Sequence, residues 1–318
     1  MILPGNIFAK TRLIPTDFKS AGVLVFLNIL VYLLICLPDD WAQSNDKTLD
    51  GLDQPAVRES LHQMYLQTKD PIDIIPKSKT FFFKDFVFWN QIEKFPFKGD
   101  VVQIEKNKNL MGRLKDYYQS SAQYKFGLSE DPTTPWVWLT YQFMHAGLFH
   151  LLSNMLFLYL TCQILQRFVS TEWILATYIL GGIGAGVGFL AFDFGGQVAM
   201  VGASGAICAL MSFLTVVKNI ENIEWSFFFA FTRKGFGVIH MPAFLLFPMY
   251  LMTDFTYLLL QSSSSTVAYS AHVGGSLAGL FLGLFFVMDQ KVRHHILKEW
   301  GSTLNQKEID TLRQKDVA

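Results

Sequence analysis

Six runs of apolar residues, separated by polar stretches, run along this chain: Ala21–Leu37, Leu148–Phe168, Trp173–Phe194, Val198–Val217, Val238–Leu260 and Ser270–Met288. Each approaches or reaches the roughly 20 helical residues needed to cross a hydrocarbon core. The pattern predicts an all-α, multi-pass membrane protein, with a tail at 1–20, a six-helix membrane domain at 21–288 and a second tail at 289–318. One polar stretch, 38–135, is far longer than the others and reads as an insertion in the first loop. Inside it, Val57, Leu61, Met64 and Tyr65 fall at helical spacing and predict a short amphipathic helix over Gln54–Thr68. Phe81, Phe82, Phe83, Phe86, Phe88 and Trp89 fit either a membrane-surface position, where aromatic rings are favoured, or the core of a small soluble insertion.

Composition sharpens this picture. Hydrophobic residues make up 51% of the chain and charged residues only 16%, against about 25% charged in ordinary soluble domains. A formal net charge of zero gives no electrostatic reason to expect a nucleic-acid partner. Cys36, Cys162 and Cys208 all lie in apolar runs, so neither a disulfide framework nor a zinc site is indicated. The basic N-terminus is followed by an apolar run whose end, Leu34 to Pro38, has no small-x-small cleavage pattern, so the first run reads as a retained helix.

Six spans put both ends of the membrane domain on one side. That side carries Lys10, Arg12, Lys19, Arg167, Lys218, Arg233, Lys234, Lys291, Arg293 and Lys298. The opposite short loops, at 195–196 and 262–266, carry no basic residue, which predicts that both termini are cytoplasmic.

Polar side chains inside the apolar runs come next, because they are costly there and mark function. His150 and Asn154 open the second run, Ser204 lies about two turns into the fourth, and His272 opens the last. The second, fourth and sixth helices all run inward from the outer side, so these residues share one layer in the outer leaflet. His150 and Asn154 are four apart and share a helix face. Gly275, Gly279 and Gly283 repeat at every fourth residue on the His272 helix, and Gly205, Ala209 and Ser212 form a matching small-residue stripe beside Ser204. Such faces let two helices approach closely, which would bring His272 within reach of Ser204 as general base for a serine nucleophile. Asn154, His150 and the Ser204 backbone N–H are donors suited to an oxyanion. Gly202 and Ala203 leave room for a substrate backbone. With no acidic residue in those layers, the pair reads as a dyad.

Together, the residues from His145 to Asn154, the Gly202-Ala203-Ser204-Gly205 run and the Ala271–Gly275 run resemble the rhomboid family of intramembrane serine proteases. The resemblance covers the first run and about 134–288. It implies peptide-bond hydrolysis within the membrane, with Ser204 as nucleophile, His272 as general base, and His150, Asn154 and the Ser204 amide as oxyanion hole. His145 would support the loop above, and Gly202 and Gly205 would flank the nucleophile. The fifth helix would be a lateral gate, kinked at Pro242 and Pro248 and carrying Asp254, with Ser262–Thr266 as a mobile cap.

Three departures from the family pattern stand out. Trp136 is followed by Val137 where members often have Arg. Cys208 stands four residues after Ser204 where many have a Tyr stacked on the histidine, so His272 must be held another way. The insertion at 38–135 is much longer than the first loop of compact bacterial members.

The function expected is thus an intramembrane serine endopeptidase acting on transmembrane protein substrates within the lipid bilayer, with no metal or organic cofactor. The expected location is a bacterial inner membrane, with a eukaryotic secretory membrane as the other option, and the site on the extracytoplasmic side. The rival reading is a catalytically silent relative that binds membrane-protein clients. A transporter would need ionisable groups through both leaflets, and the inner halves of these helices have almost none.

Overall fold

A computed structural model describes residues 2–4, 19–45, 119–129, 134–192, 199–218, 222–228, 236–242 and 269–300, with isolated positions at 105–116 and 245. The described chain is mostly helical. In chain order it comprises β1 (Ile2–Pro4), α1 (Lys19–Val31), a π-helical turn (Tyr32–Cys36), α2 (Leu37–Asn45), α3 (Ala122–Phe126), α4 (Val137–Thr140), α5 (Leu148–Leu165), α6 (Thr171–Phe192), α7 (Ser204–Lys218), β2 (Asn222–Phe228), β3 (Phe236–Pro242) and α8 (Tyr269–Trp300).

Four helical stretches among the described residues are long and apolar enough to cross a membrane: Ser20–Ala42, Leu148–Leu165, Thr171–Ala191 and Tyr269–Lys291. They match the first, second, third and sixth predicted spans. The first continues past its predicted end at Leu37, and the last past Met288. Pro38 explains the π-helical turn ahead of α2: it has no N–H to donate, so the backbone bonding shifts register just before it.

The fourth span differs from expectation. Its helix begins at Ser204, not Val198, and is 15 residues long. That is about 22 Å of helix, short of a hydrocarbon core of about 30 Å. Residues 199–203 ahead of it are not helical. The Met200 N–H and C=O both bond to Leu128 (2.6 and 3.0 Å), and Gly202 N–H bonds to the Tyr141 carbonyl (2.9 Å). Non-helical backbone at membrane depth is tolerated only where protein satisfies it in this way.

The fifth predicted span also departs. Its first residues lie in β3, which pairs antiparallel with β2 from Asn222↔Pro242 to Phe228↔Phe236. β1 adds to the other edge of β2, giving the order β1-β2-β3, so the fold is not purely α. Val238 and Ile239 are β-branched and suit a strand as well as a helix, and Pro242 sits where the strand ends. Apart from position 245, the rest of that span lies outside the described residues. So do Asp254, Ser262–Thr266, Gln54–Thr68 and the aromatic cluster at 81–89.

Helices α6, α7 and α8 pack against one another, while α5 lies against α1 and α7. The small-residue faces set how closely α7 and α8 approach. A Cβ added to Gly275 would collide with the Gly205 carbonyl, and one on Gly279 with the Ala209 carbonyl. Gly274 and Gly188 make the same kind of backbone approach between α8 and α6. A core of Leu158, Leu165, Ile174, Tyr178, Phe213 and Leu214 fills the bundle. Buried polar groups link the helices: Asn28 Nδ2 donates to Tyr178 Oη (3.2 Å), whose hydroxyl donates to the Gln142 carbonyl (3.0 Å).

Candidate active site

Ser204 is the first residue of α7. The first intrahelical bond runs from Ile207 N–H to the Ala203 carbonyl (2.9 Å), which puts Ala203 at the cap position. Alanine offers no side-chain acceptor there, so the first N–H groups of α7, that of Ser204 included, keep no capping partner from it. The positive end of the helix dipole points the same way. The apolar run from Val198 predicts Ser204 about two turns inside a helix. The helix end is a better place for a nucleophile, because its N–H is not consumed by a helical bond.

His272 lies in the first turn of α8. Its Nε2 is 2.8 Å from Ser204 Oγ, a hydrogen bond that spans 68 positions of sequence. The close α7–α8 approach at Gly205 and Gly275 makes this distance possible, because any side chain at Gly275 would hold the helices apart. The Tyr269 ring meets the His272 ring edge to face, with centroids 6.3 Å apart and planes at 86°. Aromatic pairs in this geometry attract one another. Sequence reading left the support of His272 open because Cys208 replaces the expected tyrosine. Tyr269 sits three residues before His272 on the same helix but one residue ahead of the apolar run that begins at Ser270, so the hydrophobic pattern does not mark it.

His150 and Asn154 reach the same point from α5. Gly202 has φ +130, a backbone region that favours glycine. A Cβ there would lie 2.8 Å from His150 Cε1, 3.0 Å from His150 Nε2 and 3.8 Å from Asn154 Nδ2. The space left by Gly202 is thus filled by the His150 imidazole, not by a substrate backbone as expected from sequence. Asn154 is buried, and its Nδ2 has no hydrogen-bond partner among the described residues. A buried donor left unmade costs about 1–3 kcal/mol; such a donor beside Gly202, which lies two residues before the serine, is a ready receptor for a developing negative charge.

His145 lies in the loop before α5 and is almost fully buried. Its backbone N–H donates to Cys36 Sγ (3.5 Å), its Nδ1 faces the Phe143 carbonyl (3.3 Å), and its ring meets that of His150 edge-on at 5.1 Å. Burial, reinforced by the neighbouring His150, lowers its pKa to about 3, so it is neutral at physiological pH. His145 thus supports His150 and does not reach Ser204 itself. Val137, where an arginine was expected, is buried beside Leu128, Tyr141 and Met200.

The arrangement places a serine hydroxyl on an imidazole nitrogen and an unpaired amide donor close by, which is a set of parts for acyl transfer. Residues 132–289 match the rhomboid domain family. The chain is also similar to mouse Rhomboid-related protein 2, with 24% identity over 172 residues covering 49% of this chain and 52% of that one. It therefore spans about half the length of that relative. No solved structure matches.

Proposed function

Because this chain belongs to the rhomboid family, we propose that it is an intramembrane serine endopeptidase with Ser204 and His272 as its dyad. The observation that carries this reading is the 2.8 Å contact between His272 Nε2 and Ser204 Oγ. His272 accepts the serine proton as Oγ attacks a peptide carbonyl, forming a tetrahedral intermediate whose oxygen bears the negative charge. The Ser204 N–H, Asn154 Nδ2 and the His150 imidazole donate to that oxygen. The imidazolium then protonates the departing amine, leaving an acyl-serine. Water, deprotonated by His272, releases the new carboxyl end and restores the hydroxyl.

The substrates proposed are transmembrane segments that unwind near their outer end. An intact helix hides each carbonyl in its own hydrogen bonds and offers none to a nucleophile. The proposed orientation has both termini cytoplasmic and the site near the extracytoplasmic surface, where water can reach it, and a bacterial inner membrane is the proposed location. The test is cleavage of a model single-span protein in liposomes by the wild type and by Ser204→Ala. The expected result is cleavage by the wild type alone. Binding without cleavage by the wild type would instead favour a silent client-binding protein.

A further inference from the structure

The segment that leads into Ser204 is held by a part of the chain with no assigned role, the end of the first-loop insertion. Gln123, on α3, donates from Nε2 to the Ala199 carbonyl (2.9 Å). Five residues on, Leu128 exchanges both backbone bonds with Met200. Gly127 lets these two strands meet, since a Cβ there would lie 3.0 Å from Ala199 Cβ and 3.2 Å from the Met200 carbonyl oxygen.

α3 is itself fixed at its N-terminus. Ser121 Oγ accepts from Tyr124 N–H (3.1 Å), and Asp39 Oδ2 accepts from Ala122 N–H (3.0 Å), 83 residues away in sequence. At its far end, Thr140 Oγ1 donates to the Phe126 carbonyl (2.8 Å). A continuous chain of bonds thus runs from Asp39 on α2, through α3, to residues 199 and 200, four or five positions before the serine.

We propose that Gln123 is a positioning residue for Ser204, acting through Ala199 and held in place by the Asp39–Ala122 bond. This rests on the serine-hydrolase reading above. Residues 199–203 have no helix of their own to fix them, so their external bonds set where α7 begins and where Oγ points. Loss of the Gln123 donor frees the Ala199 carbonyl, and loss of the Asp39 acceptor frees α3.

The experiment measures the rate of covalent labelling of Ser204 by a fluorophosphonate in the full-length protein, alongside thermal stability. Gln123→Met keeps the side chain's length and removes the donor. Asp39→Ala removes the acceptor, while Asp39→Asn keeps an oxygen for Ala122 N–H. The expected result is a maximal labelling rate lower by on the order of tenfold in Gln123→Met and Asp39→Ala, since small misplacements cost this much or more. Probe affinity stays unchanged, melting stays close to wild type, and Asp39→Asn keeps the wild-type rate. Unchanged rates in both variants, or a loss that tracks melting with Asp39→Asn as slow as Asp39→Ala, would overturn the positioning role while leaving the serine reading intact. A wild type that takes no label would overturn the serine reading and this proposal with it.

Discussion

Asn154 Nδ2 lies 3.8 Å from the point where a side chain on Gly202 would begin, and this amide is buried with no partner among the described residues. The relationship joins α5 to the turn that presents Ser204. It leaves a donor unpaid in the resting protein at the place where the proposed reaction develops negative charge.

Replacing Asn154 by Ala therefore separates activity from stability. The expected result is a fall of roughly 10²–10³ in kcat, the usual loss for one oxyanion donor, with KM little changed. Melting should be unchanged or slightly higher, because an unsatisfied buried group has been removed. Turnover numbers and a thermal melt in detergent check both. Unchanged kcat would remove Asn154 from the oxyanion hole.

Gly202→Ala tests the space the His150 ring occupies. The new Cβ would meet His150 Cε1 at 2.8 Å, on a backbone with φ +130. A strained φ of this kind costs about 1–3 kcal/mol, and the ring must also shift. Both lower stability and displace His150 from the site, so melting temperature and kcat should fall together.

Tyr269 offers a contrast between ring and hydroxyl. Its edge-to-face contact with His272 needs only the aromatic ring, and such pairs contribute about 0.5–1.5 kcal/mol. Tyr269→Phe should keep near wild-type kcat/KM, while Tyr269→Ala should lose roughly three- to tenfold, matching that energy. Equal losses in both variants would instead assign the effect to the hydroxyl.

These residues also show which features could be recovered from sequence. Helices α5, α6 and α8 follow from long apolar runs, and the contact between Ser204 and His272 follows from Gly275 and Gly279 sharing a face with His272. The start of α7 does not. Ala199 to Val201 are as apolar as the helix that follows, and bonds from Gln123, Leu128 and Tyr141, all remote in sequence, hold this segment out of the helix. Val238 and Ile239 are equally ambiguous, because β-branched residues serve a short strand or an apolar helix. The pairing that decides, with Glu224 to Ser226 and their neighbours, is again non-local. The role of Gln123 is invisible in sequence for the same reason, since its partner lies 76 positions away.

His145 predicts how stability depends on pH. Its pKa is lowered to about 3 in the folded protein, against about 6.5 in an unfolded chain. The unfolded state therefore binds the proton first as pH falls. The contribution of neutral His145 is complete above about pH 6.5 and is lost progressively down to about pH 3, at up to roughly 1.4 kcal/mol per pH unit. Melting between pH 7 and pH 5 should fall in the wild type and fall less steeply in His145→Gln. Identical slopes would contradict the assignment.

Covalent labelling by a fluorophosphonate reads whether the hydrogen bond between Ser204 and His272 activates the serine. The wild type is expected to be labelled at Ser204, Ser204→Ala to take no label, and His272→Ala to react on the order of 10²–10⁴ times more slowly, as loss of a general base requires. Labelling of His272→Ala at the wild-type rate, or a folded wild type that takes no label at Ser204, would contradict it.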